Sequence, residues 1–155
     1  MKKLFLFLAA STLALTSCSS DDDSSSSIGG TITVTIDGQA KTFNTVVVNE
    51  QVYDAGTADE YTDLTITGVI GTSTSEIITF SVEKGDVGAD AIYQFGYTKD
   101  GMYYTSYYGV LSANVTTNNS SKKLIGNFSG TLGSNSGTGE VTDAILTNGS
   151  FNIQY

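Results

Sequence analysis

Histidine, arginine, proline and tryptophan are absent from the 155 residues, and there is a single cysteine. Each absence removes a class of chemistry. Without histidine there is no imidazole to serve as general base for a serine or cysteine nucleophile. One cysteine and no histidine cannot assemble a Cys/His zinc site. Without arginine there is no bidentate clamp for phosphate, and a formal net charge of −9 opposes any role in binding nucleic acid. What remains is a chain rich in glycine and tyrosine, with 17 and 9 copies respectively, of which 39% is apolar and only 15% charged.

The N-terminus has three zones: Lys2 and Lys3, an apolar run from Leu4 to Leu15, and the small-residue stretch Thr16-Ser17-Cys18. This is the layout of a secretory signal peptide. An apolar run of about 12 residues falls short of the roughly 20 needed to span a bilayer as a helix. The tetrapeptide Leu15-Thr16-Ser17-Cys18 resembles the bacterial lipobox, in which an aliphatic and two small residues precede the cysteine that is acylated and becomes the first residue of the mature chain. A lone cysteine exported to an oxidising compartment is a liability as a free thiol. A diacylglyceryl thioether at Cys18 removes that liability. Each buried acyl CH₂ contributes roughly 0.8 kcal/mol, so two or three chains anchor a protein durably where one does not. Cys18 is therefore expected to be an anchor and not a catalyst.

Ser19-Ser20-Asp21-Asp22-Asp23-Ser24-Ser25-Ser26-Ser27 follows, with nothing apolar to bury, and is expected to be a disordered tether. An acidic cluster just past the acylated cysteine resembles the export signal of Bacteroidota lipoproteins that reach the outer face of the outer membrane. That resemblance implies surface exposure, with the periplasmic face as the alternative. Loss of residues 1–17 removes Lys2 and Lys3 and no acid, leaving five lysines against sixteen Asp and Glu, a formal charge of −11. Three segments result: a signal peptide over 1–17, the lipidated cysteine and tether over 18–30, and a single folded domain over 31–155, long enough to bury a core without disulfides.

Period-two alternation of Thr, Val, Ile and Tyr dominates that domain, with turn residues every 8–12 positions, and no helical periodicity competes with it. Thr31–Ile36 alternates cleanly, and Asp37-Gly38 supplies the pair of positive φ angles that a tight hairpin needs before Gln39–Phe43 returns. Further strands are expected at Thr45–Tyr53, Tyr61–Ile70, Glu76–Val82, Ala91–Thr98, Met102–Leu111, Ala113–Thr117, Lys122–Leu132, Val141–Thr147 and Ser150–Tyr155. Roughly ten strands predict an all-β antiparallel sandwich, with a closed barrel as the alternative. Phe151, Ile153 and Tyr155 share one face of the last strand, which is expected to pair inside a sheet. Interior glycines at 126 and 130 predict curvature in Lys122–Leu132. The stretches Ile125–Leu132 and Ile145–Phe151, together with the acidic tether and the Asp37-Gly38 hairpin, resemble small Bacteroidota lipoproteins of unknown function. The resemblance implies an all-β domain and adds almost nothing about activity.

Seven aromatics fall in the sixteen residues from Tyr93 to Tyr108. A two-residue turn at Asp100-Gly101 sets Tyr97 opposite Tyr104, Phe95 opposite Ser106 and Tyr93 opposite Tyr108. One face then carries five aromatics and is expected to turn inward, since each buries on the order of 150–250 Å². Tyr103 and Tyr107 remain as the exposed pair, roughly 13 Å apart along the strand, a spacing that suits an extended ligand such as a glycan; ordinary half-solvated strand tyrosines are the competing explanation. Acids gather at Asp54, Asp59, Glu60 and Asp63, and again at Glu83, Asp86 and Asp90. They match no calcium-loop spacing and are expected to be solvated loops. No strand end presents the paired carboxylates of a glycosidase, which leaves a glycan-cleaving enzyme as the weakest alternative. The glycine-rich run Gly130–Gly139 lacks the Gly-Lys-Ser/Thr ending of a phosphate loop and is expected to be a hairpin loop. The expectation is thus a non-enzymatic lipoprotein of the outer membrane, with no cofactor and no metal. Its partners are membrane lipid through Cys18 and a glycan or envelope protein, with Tyr103 and Tyr107 as the candidate contact residues and no nucleic acid.

Overall fold

A computed structural model describes residues 26–134 and 143–155. The expected signal peptide, the lipobox with Cys18, the tether through Ser25 and the middle of the glycine-rich loop lie outside the described residues. Ten strands occur among the described residues: β1 (Ser26–Ile28), β2 (Gly30–Ile36), β3 (Gln39–Phe43), β4 (Thr45–Tyr53), β5 (Tyr61–Ile70), β6 (Ser73–Glu83), β7 (Ile92–Lys99), β8 (Met102–Asn119), β9 (Lys123–Gly133) and β10 (Asp143–Gln154). The fold is all-β and antiparallel throughout, as the alternation predicts. Ser26–Ile28, assigned to the tether from sequence, pair with Val46–Val48 of β4.

The strands form one hydrogen-bonded order, β1-β4-β5-β6-β7-β8-β9-β10-β2-β3. The run from β4 to β10 is a meander, and β2 returns to pair with β10, the last strand of the chain. Phe80 on β6 and Phe151 on β10 have three strands between them in this order, yet their ring centroids are 5.0 Å apart. That contact requires the sheet to curl, and it does so as a half-barrel around one core. Phe95 and Phe128 join the same cluster, 4.8 Å from each other. At the far side, Ile32 of β2 and Phe43 of β3 fill the space beside Gly68 of β5, so the two ends of the order also face each other across the interior.

Alternation places Ile32, Val34 and Ile36 inward on β2, Leu64 and Ile66 on β5, and Ile78, Phe80 and Val82 on β6. Burying each such side chain is worth roughly 1.5–3 kcal/mol, and together they decide which face of every strand points in. The Asp37-Gly38 and Asp100-Gly101 turns have positive φ at both central residues, the geometry whose twist matches the flanking strands. Asp37 also ties its turn to β10: its N–H donates to the Ile145 carbonyl and its Oδ1 accepts from the Ile145 N–H, both at 2.9 Å.

Two pairs of strands expected to be separate are single. Met102–Leu111 and Ala113–Thr117 merge into β8, and Ser150–Tyr155 joins the preceding segment in β10. In β10 the presumed break at Asn148-Gly149 is a bulge, because β10 advances three residues from Leu146 to Gly149 while both β9 and β2 advance two. Asn148 takes φ 53°, a left-handed conformation that Asn tolerates better than most residues. The extra residue switches parity. Ala144 and Leu146 point inward before it, Phe151, Ile153 and Tyr155 after it. The expected curvature in β9 has a physical counterpart at Gly130, whose φ is 152° and where a side chain would run into the Val110 carbonyl.

One end of the curled sheet is closed by polar groups. Buried Asn118 donates to the carbonyls of Glu83 at 2.7 Å and Asp86 at 3.0 Å. Glu50 accepts from both Lys84 and Lys122 at 2.6 Å, and these two ammonium groups lie 5.9 and 5.8 Å from the centre of the Tyr155 ring. Elsewhere Glu76 is shared between Lys41 at 2.8 Å and the Tyr97 hydroxyl at 2.7 Å.

Candidate functional site

The aromatic hairpin begins as the sequence predicts and then departs from it. Pairing between β7 and β8 runs from Lys99–Met102 through Tyr97–Tyr104 to Gly96–Thr105 and stops there. The expected Phe95–Ser106 and Tyr93–Tyr108 pairs do not form. Two irregularities separate the strands. On β7, Tyr93 is the extra residue of a bulge, since Ser81 pairs with Gln94 and Val82 with Ile92. On β8, Thr105 pairs with Gly133 and Val110 with Thr131, so Ser106 to Gly109 swing out of the ladder. Beyond them the far part of β8 meets the loop after β6 through the Gly88–Val115 bridge.

Of the five aromatics expected to face inward, Phe95 and Tyr97 are buried and Tyr104 is half-buried, whereas Tyr93 and Tyr108 are exposed. The bulges explain the difference: each inserted residue resets which side of the strand its neighbours occupy. Tyr93 and Gln94 consequently both point out, between buried Ile92 and Phe95.

Where the strands part, Tyr93, Gln94, Thr105, Ser106 and Tyr107 line a cleft of about 390 Å³, toward the lower end of the range for small-molecule sites. Its two tyrosines each have a partner outside the lining. Tyr93 reaches across β6 and donates its hydroxyl to Asp63 Oδ2 on β5 at 2.7 Å. Burial, and then the adjacent Asp63 carboxylate, push this phenol up to about 12, so it stays a neutral donor at physiological pH. The Tyr107 ring stands edge-on to that of Tyr108, with centroids 4.9 Å apart and planes at 87°, an arrangement favoured by the ring quadrupoles. The Tyr107 N–H, lost to the ladder, donates to Thr105 Oγ1 at 3.2 Å.

The expected exposed pair, Tyr103 and Tyr107, is 49% and 84% exposed, but the two residues have different surroundings. Tyr103 lies in the regular part of the hairpin with its ring against Gly96, where a Cβ would stand 2.6 Å from the ring edge. It covers a neighbouring glycine and does not line the cleft. Tyr107 does line it, together with Tyr93. Tyr93, Gln94, Thr105 and Ser106 were not identified from sequence as site residues. The doublet Tyr107-Tyr108 was the available signal, because it falls where the pairing is interrupted.

The acidic clusters do not converge. Among the described residues no group of three carboxylates is placed to hold a metal ion. Glu60 instead accepts from the Gly56 N–H at 2.6 Å, and Asp63 serves Tyr93. Asp63 and Glu83 are cross-strand partners, on the face opposite buried Leu64 and Val82. Compared with known proteins, the chain matches no family, no curated sequence and no solved structure.

Proposed function

We propose that this protein is held at the outer membrane by acyl chains on Cys18 and acts by binding at the outer face of its β-domain, not by catalysis. The observation that carries the reading is the lipobox-like Leu15-Thr16-Ser17-Cys18 behind Lys2, Lys3 and a short apolar run. The acidic tether after it supports display on the cell surface, in keeping with the resemblance to Bacteroidota lipoproteins. Replacing Cys18 by Ala tests the anchor. Wild-type protein is expected in the detergent phase of a cloud-point separation and the variant in the aqueous phase; unchanged partitioning overturns the reading. Protease treatment of intact cells tests the leaflet, since a surface-displayed domain is reached without breaking the outer membrane.

A second reading, a carbohydrate-binding module, is favoured by the cleft. Tyrosine combines a flat apolar face with a hydroxyl handle, and two tyrosines here flank an amide and two hydroxyls. Glycan cleavage is the weaker alternative, because Asp63, the carboxylate joined to this cleft, already accepts a hydrogen bond from Tyr93.

A further inference from the structure

We infer that the cleft between β7 and β8 takes a neutral glycan chain, gripped between Tyr93 and Tyr107. This inference rests on reading the outer face as a binding surface and names the class of ligand that fits it.

The argument starts from charge. The lining residues Tyr93, Gln94, Thr105, Ser106 and Tyr107 include no carboxylate, no lysine and no arginine. A sulfated or uronate sugar brings an anion that must be paired when it is desolvated. Here it would meet no cation, an Asp63 carboxylate hydrogen-bonded to Tyr93, and a mature chain of formal charge −11. A cationic ligand would find no carboxylate in the lining, and Asp63 is engaged by the Tyr93 hydroxyl. A neutral polyol suits what is present. Gln94 offers both donor and acceptor atoms, Thr105 and Ser106 offer hydroxyls that do either, and the ring faces suit the apolar C–H faces of pyranoses.

Rigidity and access point the same way. Tyr93 is anchored through its hydroxyl, so less ordering entropy is lost when a ligand stacks on it. Tyr93, Gln94 and Tyr107 are all exposed. The site is therefore open to solvent at these three residues.

The test is affinity electrophoresis of the full chain in mild detergent, through gels containing amylopectin, mannan or xyloglucan as neutral polymers and polygalacturonate as the anionic one. At least one neutral polymer is expected to retard the wild type, and polygalacturonate is not. Tyr107→Ala and Tyr93→Ala should each weaken that retardation roughly tenfold, Tyr93→Phe less, and Val52→Ala, at an exposed position on β4, not at all. Tyr107 is 84% exposed, so its variant should keep the wild-type urea midpoint and separate binding from folding. Absence of retardation by every neutral polymer overturns the inference, as does retardation indifferent to both tyrosines. Retention of polygalacturonate or of an extended peptide that is lost in Tyr107→Ala overturns the glycan class while leaving a binding cleft in place. The Cys18 partitioning experiment stands or falls independently of all these outcomes.

Discussion

Single residues in this protein do two jobs, and their pH behaviour separates the jobs. Glu76 is partly buried, which alone would raise its pKa, but Lys41 and the Tyr97 hydroxyl outweigh that and hold it below the usual 4.5; Glu50 is held down in the same way by Lys122 and Lys84. A carboxylate with a depressed folded pKa adds stability that is fully present above its unfolded value and lost as pH falls through the folded one. The domain should therefore lose stability below about pH 4.5, and Glu76→Gln should flatten that acid limb in urea melts across pH. Tyr97 carries the opposite sign. Burial, then the Glu76 carboxylate, raise its phenol above the ordinary 10.0, so its contribution is present below pH 10 and disappears as pH rises toward the folded value. Tyr97→Phe should cost about 1.5–3 kcal/mol at neutral pH, the worth of a hydrogen bond to a charged group, and should reduce the alkaline loss. Tyr103 makes a structural contribution of its own. Tyr103→Ala uncovers Gly96 and is expected to cost about 1 kcal/mol in the urea midpoint, whether or not the residue touches a ligand.

At the scale of elements, the bulges carry the specificity. If β10 kept all its residues in one regular alternation, even-numbered Ala144 and Leu146 and odd-numbered Phe151, Ile153 and Tyr155 would lie on opposite faces; the one extra residue at the bulge brings them to the same face. Deletion of Asn148 removes the extra residue and leaves both halves of the strand in phase as a regular ladder, so the variant should keep a cooperative urea transition. Asn148→Gly keeps the left-handed conformation and should be nearly neutral, whereas Asn148→Val should cost about 1–2 kcal/mol. The paired outcome distinguishes a conformational requirement from a side-chain contact. The bulge at Tyr93 and the excursion of Ser106 to Gly109 follow the same logic but with a different product, since they part β7 from β8 and create the cleft. These features were hard to read in advance. A bulge changes hydrogen-bond register by one residue, and a period-two pattern interrupted by Asn-Gly or by a tyrosine doublet looks the same whether the chain turns or only steps sideways.

For the whole molecule, the decisive pairing is between β2 near the start of the domain and β10 at its end, with Ile32 opposite Phe151. A fold built on contacts this distant in sequence pays its loop-closure entropy before they form, so refolding is expected on the millisecond-to-second scale in stopped-flow experiments. Removal of residues 143–155 should abolish folding altogether, because it takes away a strand paired on both sides and the Phe151 that joins the Phe80, Phe95 and Phe128 cluster. Calcium or chelator should leave the melting temperature unchanged, since no set of carboxylates among the described residues converges on one point and a ligand raises stability only by binding the native state.

Most of the strand boundaries follow from the sequence. Thr45–Tyr53 and Tyr61–Ile70 are the clearest, because alternation and turn residues are local properties that each segment carries with it. The same is true of the Asp-Gly turns, where two positive φ angles need those residue types. The lipobox-like Leu15-Thr16-Ser17-Cys18 is also a local pattern, read from four residues. The curl of the sheet, the neighbours of β10 and the partnership of Tyr93 with Tyr107 belong to tertiary structure. They depend on which distant strands meet and in what register, and that is decided by the joint packing of side chains from β2, β6, β7, β9 and β10 around one core.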